Sequence, residues 1–339
     1  MLLEIVCQGS PDQPHRYNED AFVAYQRDDG QPRYVLAAID GATSLVNFAP
    51  LHQYLQTERN GITPAGLAAS VTRDALLAKL GAMTSNEDVD PRGLILHANH
   101  SLRELLEAVS HGIFDAESIK AVQPESVALL DDPRKIRLFL PAAVVTLATI
   151  DTTANLLRFA HAGDTALLIC YEDGRVEVPT FEPRMSYESA LVSASRAILQ
   201  QGLSMLETIN DPIIRALDRD HRIYHNYVDT EGATVQERGI GVVDGLPELA
   251  DYIHTGLLGL EGVAAVMLAS DGFMWPSGLH ETPHERQHRY GRMWARLRQD
   301  GLRGYLQALR AEERADANRA KYPRFKLHDD ATAVVWWSN

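Results

Sequence analysis

The sequence predicts an α+β fold in which strands from both ends of the chain enclose a group of helices. Three observations support this. Short apolar, strand-like runs come first, at Leu2–Cys7, Ala21–Gln26 and Tyr34–Ile39. Two amphipathic helical segments follow them, and another strand-like run, Thr332–Trp337, lies near the other end. Because strands and helices are grouped rather than alternating, a sandwich is favoured over a sheet built from βαβ units.

The first two helices carry clear start signals. Thr63-Pro64 supplies an N-cap residue followed by a proline at the first helical position, and Asp90-Pro91 repeats this pair. We expect the first helix to end at Gly81 and the second near Gly112. Each has an apolar face with helical spacing, which is typical of a helix packed on a sheet.

The middle of the chain reads as a strand meander followed by mixed segments. Predicted strands are Ala142–Ile150, Leu156–Ala162, Thr165–Tyr171, Arg175–Val178 and Val263–Ala269, and predicted helices are Tyr187–Leu206, Pro212–Leu217 and about 285–316. An Asp29-Gly30 pair predicts a hairpin turn between the second and third strands.

Composition limits the classes of function. The chain has 339 residues, 45% of them hydrophobic, so it can bury a core as one large domain or two. Its net charge of −14 argues against nucleic-acid binding, which needs a basic surface. The apolar run Pro141–Ile150 is too short to span a membrane, and Met1-Leu2-Leu3-Glu4 does not resemble a signal peptide. Cys7 and Cys170 lie in strand-like runs and are expected to be buried thiols, since reducing compartments disfavour disulfides. Together these observations predict a cytoplasmic protein without membrane contact.

One segment has the opposite charge. Glu281–Lys326 contains twelve Arg or Lys residues against six Asp or Glu residues. This pattern is typical of solvated helix faces, and it also suits a docking surface for an acidic or phosphorylated partner.

Five acidic motifs mark the edges of the strand-like runs. They are Asn18-Glu19-Asp20, Asp40-Gly41, Gly163-Asp164, Asp271-Gly272 and Asp329-Asp330. A single Asp-Gly pair usually marks a turn, and this chain has six of them. The long apolar runs that lead into two of the motifs and out of the last hold those carboxylates at one end of a sheet. Carboxylates gathered there predict a site for a hard cation such as Mg²⁺ or Mn²⁺.

The same residues carry a family resemblance. The segments Asn18-Glu19-Asp20-Ala21, Ile39-Asp40-Gly41-Ala42-Thr43, Ala162-Gly163-Asp164-Thr165, Leu268-Ala269-Ser270-Asp271-Gly272 and His328-Asp329-Asp330-Ala331-Thr332-Ala333-Val334 resemble the ordered motifs of the protein phosphatase 2C family. These metal-dependent enzymes remove phosphate from serine and threonine. Each motif alone is weak, but five of them occur in the family's order across residues 18 to 334.

The resemblance implies a double β-sheet sandwich flanked by helices, in α-β-β-α layers. Residues 1–339 would form a single phosphatase 2C-like domain with a variable insert or flap at about 185–255. Two Mg²⁺ or Mn²⁺ ions would bind at one end of the sandwich, with a possible third.

The resemblance also implies roles for four residues in the metal centre. Asp40 would bridge two metals, and the carbonyl of Gly41 would bind the second metal. Asp271 and Asp329 would complete the coordination of the first metal.

Further roles follow for the first and third motifs. Glu19 and Asp20 would orient water at the metals or ligate the second ion, and Asp164 would help to hold a third, weaker metal. The family's phosphate-binding arginine lies five residues before the position of Asp20. That position is His15 here, so Arg16, one residue later, is the candidate for phosphate contact.

The implied reaction is hydrolysis of phosphoserine or phosphothreonine on a protein substrate, with a serine/threonine kinase as the opposing enzyme. Two divalent ions acidify a water and clamp the phosphoryl oxygens for in-line attack, so no covalent enzyme intermediate is needed. The two cysteines lie in strand-like runs without a phosphate-cradling loop, which argues against a thiolate mechanism.

The chain departs from the family at the proton donor. Many members have a histidine after the Asp-Gly pair, but Ala42 occupies that position here, as in bacterial branches of the family. His15, His52 and His161 are stand-in candidates, and a water at the metals is another. The alternative is a pseudophosphatase that keeps the fold as a binding or regulatory module. The retained acids of the metal motifs argue against this alternative.

A competing motif is His284-Glu285-Arg286-Gln287-His288, which matches the zinc-protease pattern H-E-x-x-H. Zinc proteases bury this helix, whereas Arg286 places a charge inside the motif. Glu312 or Glu313 could supply a third ligand. A chance match is favoured.

Overall fold

The structure, a computed structural model, describes residues 2–12, 16–27, 33–42, 46–84, 87–112, 114–180, 186–278 and 281–338, with the backbone alone for 186–192 and 218–220. The turn predicted at Asp29-Gly30 lies outside these residues.

Ten strands form two antiparallel sheets of five strands each. The strands are β1 Leu2–Gln8, β2 Ala21–Gln26, β3 Arg33–Ala42, β4 Ala142–Asp151, β5 Leu156–Ala162, β6 Ala166–Tyr171, β7 Val176–Glu177, β8 His254–Gly259, β9 Val263–Ala269 and β10 Ala331–Trp337. Sheet A has the order β1-β10-β9-β6-β7, and sheet B has the order β2-β3-β4-β5-β8. The first and last strands pair with each other, so segments distant in sequence meet in sheet A.

Eight helices accompany the sheets in the described part of the chain. They are α1 Ala49–Glu58, α2 Pro64–Ala82, α3 Pro91–Ser110, α4 Ala116–Val122, α5 Ser186–Leu199, α6 Met205–Asn210, α7 Pro212–Asp220 and α8 Pro283–Ala315. Helix α8 is broken at Gly301, where φ is 66° and ψ is 178°. Short 3₁₀ turns cover Pro124–Ser126, Pro133–Leu138, His221–Tyr224, Pro247–Asp251 and Asp271–Phe273.

The side chains of β3 show how the layers form. Leu36 and Ala38 point into the space between the sheets, where they pack with Leu268 and Val334 of sheet A. Val35, Ala37 and Ile39 point the other way, into a core shared with α1 to α4. The outer face of sheet A is covered by apolar residues of α8. This two-residue alternation produces the α-β-β-α sandwich, and the predicted fold class is confirmed.

The predicted helix starts are confirmed in detail. The Thr63 hydroxyl accepts a hydrogen bond from the Gly66 N–H at 3.1 Å, and the Asp90 carboxylate accepts from the N–H groups of Arg92 and Gly93. These contacts satisfy backbone donors that the first helical turn leaves free.

The helix predicted across Tyr187–Leu206 is wrong in its extent. Helix α5 ends at Leu199, and Gly202 adopts a left-handed conformation with φ of 84°. Helix α6 then begins with a capping box between Ser204 and Glu207. A glycine in the left-handed region and a new N-cap together stop one helix and start another.

The sequence also left three elements unpredicted: α1, α4 and β8. Strand β8 contains glycines at both Gly256 and Gly259, which lower strand propensity. A Cβ atom at Gly256 would lie 2.3 Å from the Phe159 ring, so that ring packs on the bare backbone. Tertiary packing stabilises this strand where its own sequence favours a loop.

Among the described helices, none is both long enough and apolar enough to cross a membrane.

We predict that Leu36→Ala lowers the free energy of unfolding by about 2–5 kcal/mol, because it leaves a cavity between the sheets. Leu36 is fully buried, whereas Leu257 on β8 is 60% exposed and provides the matched control. Urea denaturation of both variants is the measurement. Similar losses for Leu36→Ala and Leu257→Ala would contradict the proposed core.

Candidate metal centre

Strand register brings the first two acidic motifs together at one end of sheet B. Ala21 of β2 pairs with Ile39 of β3, so Asp20 stands opposite Asp40 at the next position. The Gly41 N–H donates to the carbonyl of Glu19 at 3.1 Å, which continues the ladder beyond β2. The two motifs are therefore held in place by backbone pairing.

Gly41 is required by this close packing. A Cβ atom there would lie 2.6 Å from the carbonyl oxygens of both Ala65 and Glu19. Only glycine fits where the start of α2 and the residue before Asp20 press against β3.

The third acidic motif follows β5, on the far side of β4 from Asp40. Val144 of β4 pairs with Asp40, and Gly163 lies against the other side of Val144. Gly163 has φ of 110°, and a Cβ atom there would lie 2.2 Å from the Val144 side chain. This turn places the exposed Asp164 in the same acidic field as Asp40.

Sheet A brings the last two motifs to the same end of the sandwich. Ala269 of β9 pairs with Ala333 of β10, and the Ser270 N–H donates to the Thr332 carbonyl at 2.9 Å. The chain then turns at Asp271 while β10 begins just after Asp330. A Cβ atom at Gly272 would lie only 1.8 Å from the carbonyl oxygen of Asp330, so these two motifs touch through their backbones.

Side-chain hydrogen bonds join the two sheets at this end. The Ser270 hydroxyl donates to Asp20 Oδ2 at 2.7 Å. Asp330 accepts from the backbone N–H of Glu19 and from that of Ser10, both at 2.7 Å. Ser270 and Asp330 belong to the acidic motifs, but the sequence predicts no role for either residue. Their strand-edge positions were the available signal, whereas their bonding partners depend on tertiary structure.

The carboxylates that converge here repel one another. Burial is the main reason why the pKa of Asp40 lies well above its usual range. Repulsion from Asp20 and Asp271 raises the pKa further, and Asp164 and Asp329 add to the effect. All five of these predicted site acids thus share one electrostatic environment.

Asp20 and Asp329 show the same effect. Burial raises the pKa of Asp20 to about 8, although the Ser270 hydrogen bond opposes the shift. Asp20 Oδ1 is buried without a hydrogen-bond partner among the described residues. Burial and the neighbouring Asp271 also raise the pKa of Asp329. A cation bound between buried carboxylates such as these would stabilise their ionised forms.

Comparison with solved structures identifies the architecture. A bacterial serine phosphatase is similar at 13% sequence identity and a TM-score of 0.51, over 99% of this chain and 96% of that one. The serine/threonine phosphatase Stp1 from Staphylococcus aureus is similar at 14% identity and a TM-score of 0.50, over 100% of this chain and 96% of that one. No protein-family model and no curated protein matches the sequence.

The chain has the protein phosphatase 2C fold. The resemblance carried by the five motifs is confirmed at the level of the fold. At such low identity the similarity does not extend to activity, because one fold can carry different functions.

The phosphatase 2C fold implies divalent metals, and the donor chemistry here suits them. The predicted ligands offer only oxygen atoms, which Mg²⁺ and Mn²⁺ prefer, and Asp20 presents a buried oxygen without a partner. Within the described residues, however, no three Asp, Glu, His or Cys side chains are yet arranged as one metal-holding group. The acids therefore lie close enough to Asp40 to affect its pKa, but their side chains do not converge on one metal position in the described residues.

Lys326 places a cation among these acids. Its ammonium donates to Asp329 Oδ1 at 2.7 Å. Burial by itself would lower the pKa of Lys326, but attraction to Asp329, Asp271 and Asp40 raises it. No sequence pattern points to Lys326, since a lysine three positions before an aspartate is common on protein surfaces.

Arg16 and Glu19 form an ion pair beside the centre. Arg16 Nη2 lies 2.5 Å from Glu19 Oε1, and Glu19 is buried. The predicted phosphate-binding arginine is thus next to a predicted water-orienting acid. His15 lies outside the described residues.

The other two stand-in histidines are placed differently. His161 is buried in β5, and its Nδ1 lies 2.9 Å from the Thr146 hydroxyl inside the sandwich. His52 is exposed on α1. Burial of His161 within this polar cluster gives it a structural role.

The zinc-protease pattern has a structural explanation. Glu285 accepts hydrogen bonds from the N–H and hydroxyl of Thr282 at 2.8 Å, as part of the capping box that starts α8. His284 and His288 are exposed, with ring centroids 4.8 Å apart. No third ligand joins them in the part of the chain that the structure describes. Glu313 is instead bonded to Arg310, and Glu312 to Lys321.

We predict that, in a metal chelator, the free energy of unfolding falls as the pH rises from about 4 to about 8. Folded Asp20 keeps its proton up to about pH 8, whereas the unfolded chain releases it near the ordinary value of 3.8. Unfolding therefore releases a proton throughout this window, and stability declines with rising pH.

Asp20→Asn should make this decline shallower, because asparagine is neutral at every pH in the window, while Asp40 and Asp329, whose pKa values are also raised, still contribute to it. Thermal unfolding in EDTA between about pH 5 and about pH 8 is the measurement. Asp74→Asn, on the exposed side of α2, is the matched control. Equal slopes for the wild type and Asp20→Asn would contradict the assigned pKa.

Proposed function

We propose that this protein is a metal-dependent phosphatase that hydrolyses phosphoserine or phosphothreonine on a protein substrate. The observation that carries the proposal is Asp40, surrounded by four further acids at one end of a phosphatase 2C sandwich. A centre so rich in carboxylate suits divalent cations and cannot by itself attract a phosphate dianion. Bound cations would reverse that charge.

We assign the roles as the family resemblance implies. Asp40 would bridge two ions, with the Gly41 carbonyl on the second ion and Asp271 and Asp329 on the first. Asp164 would contribute to a third, weaker ion. When bound, Mg²⁺ or Mn²⁺ would acidify a water and neutralise the phosphoryl oxygens.

The chain's own residues would orient that water. Asp20 is fixed by Ser270 through one oxygen, and its other oxygen has no protein partner in the described chain, so it can accept a hydrogen bond from water. Glu19 is fixed by Arg16 and would act beside it. Ala42 offers no proton for the leaving alkoxide, so solvent would supply it.

Arg16 would also contact the phosphate. A guanidinium has five N–H donors in a planar fork, so one arginine can bond a carboxylate and a phosphate oxygen together. Substrate binding and water orientation would then be linked through one ion pair.

The region at about 185–255 would act as a flap beside the centre of one domain that spans residues 1–339. The guanidinium of Arg215 on α7 lies 5.9 Å from the ring centroid of Phe325, the residue before Lys326. Further along, Arg137 anchors the region by donating to the carbonyls of His225 and Asn226 at 2.5 and 2.6 Å. The region is held at His225 and Asn226 and approaches the centre near Phe325. It would therefore control access to the metal centre.

The proposal includes a cytoplasmic location and an opposing serine/threonine kinase. Cys7 and Cys170 are both free thiols, which suits a reducing compartment.

We predict Mn²⁺- or Mg²⁺-dependent release of phosphate from a phosphoserine peptide, with activity lost in EDTA. Asp40→Asn and Asp271→Asn should each lower kcat/KM at least about 100-fold, because each removes a charged ligand. Asp173→Asn, in the exposed turn after β6, is the control and should retain activity. Activity that persists in EDTA, or in both site variants, would overturn the proposal.

We predict that calorimetric titration detects two Mn²⁺ ions per chain, with at least one lost in Asp40→Asn. Lys326→Met should tighten Mn²⁺ binding about fivefold, because the Lys326 ammonium competes for an Asp329 oxygen. Lys321→Met is the matched control, since Lys321 pairs with Glu312 instead. A chain that binds phosphopeptide but no Mn²⁺ would indicate a pseudophosphatase.

A further inference from the structure

A groove of about 470 Å³ runs between β1 and the second half of α8. Three arginines line its helical side: Arg303, Arg310 and Arg314. Cys7 and Gln8 line the opposite side. The groove has the size of a ligand pocket, and its cationic lining stands out in a chain of net charge −14.

The helix places its arginines along one face. Arg303 and Arg310 are seven residues apart, about two turns, and Arg314 follows one turn later. Leu302 and Leu309 of the same segment are buried against sheet A. The basic face is therefore fixed by the packing of the adjacent apolar face.

The groove has unused capacity to bind anions. Arg310 is buried, with Nη1 bonded to Glu313 at 2.8 Å and Nη2 bonded to the Asp329 carbonyl at 2.5 Å. Its Nε is buried and has no acceptor among the described residues. Arg303 and Arg314 are exposed, and neither has an ion pair within the described chain. A buried N–H without an acceptor is costly, so it indicates a missing anionic or carbonyl partner.

The wall opposite the arginines is an open sheet edge. Strand β1 is the outermost strand of sheet A and pairs only with β10 within the described residues. An exposed edge can pair with an added extended peptide through its backbone. The groove thus offers both backbone pairing and side-chain charge.

The groove ends beside the candidate metal centre. Arg310 bonds the backbone of Asp329, and Ser10, two residues beyond Gln8, bonds the Asp330 carboxylate. A peptide that lies in the groove would therefore continue towards Asp329 and its neighbours.

We propose that this groove binds an extended acidic segment of the phosphoprotein substrate, next to the phosphorylated residue. The proposal rests on the proposed phosphatase function and adds a substrate preference to it. Charge complementarity selects the occupant: three arginines favour Asp and Glu residues, and the open edge favours an extended backbone. The basic segment found in the sequence thereby gains a specific role.

The first test measures binding without catalysis. A fluorescent, non-phosphorylated peptide rich in Glu is titrated against the full chain in EDTA, with anisotropy as the readout. Arg303→Glu/Arg314→Glu should weaken binding about tenfold, because attraction becomes repulsion. Arg292→Glu/Arg298→Glu carries the same charge change on exposed positions of α8 outside the groove and should bind as the wild type does.

The second test measures preference. Wild-type kcat/KM should be about tenfold higher for a phosphopeptide with Glu flanks than for one with Ala flanks. This ratio should fall to about one in Arg303→Glu/Arg314→Glu, and the difference should lie in KM. Arg303→Ser/Arg314→Ser should give an intermediate ratio, and thermal unfolding confirms that each variant is folded.

The outcomes separate the two proposals. Failure of the wild type to release phosphate from p-nitrophenyl phosphate would overturn the phosphatase function, while the anisotropy result would still report on the groove. Equal binding of Glu-rich and Ala-rich peptides, or equal losses in the groove and control variants, would overturn the groove proposal. Binding that is insensitive to added salt would also overturn it, because ionic contacts at exposed arginines are screened.

Discussion

Burial and mutual repulsion of carboxylates at one end of the sandwich form the constraint on which the rest of the structure depends. Asp40, Asp20 and Asp329 all have raised pKa values, and burial is the largest cause in each case. Ionised carboxylates buried at this end destabilise the fold unless protons or cations neutralise their negative charge. Backbone contacts must therefore hold the acids together. Gly41 and Gly272 allow those contacts, because neither position has room for a Cβ atom.

The acids at this end divide into two groups by their hydrogen bonds. Asp330 accepts from two backbone N–H groups and thereby joins β10 to the segments around Ser10 and Glu19. A carboxylate so well satisfied has a structural role. Asp20 keeps one buried oxygen without a partner in the described chain, and it also bridges the sheets through Ser270. Structural acids thus fix the position of acids that remain available for chemistry.

Much of the fold could be predicted from the sequence, because strand and helix signals here are local. Ala21–Gln26, Leu156–Ala162 and Val263–Ala269 have the predicted bounds, since each is an apolar run with polar residues at its ends. Strand β8 was missed because its stability comes from packing under Phe159. The convergence of the acidic motifs could be predicted from their strand-edge positions. Lys326 could not, since its place among the acids depends on the path of the loop before β10.

Basic side chains lie next to the acidic groups of the candidate metal centre. Lys326 lies among the predicted metal ligands, and Arg16 holds Glu19 beside them. Arg310 bonds the backbone of Asp329 on one side and lines the basic groove on the other. In a chain of net charge −14, a phosphorylated acidic protein would be repelled by most of the surface. Under the proposed function, the groove along β1 would offer such a substrate an attractive path, and that path would end at the carboxylates of the candidate metal centre.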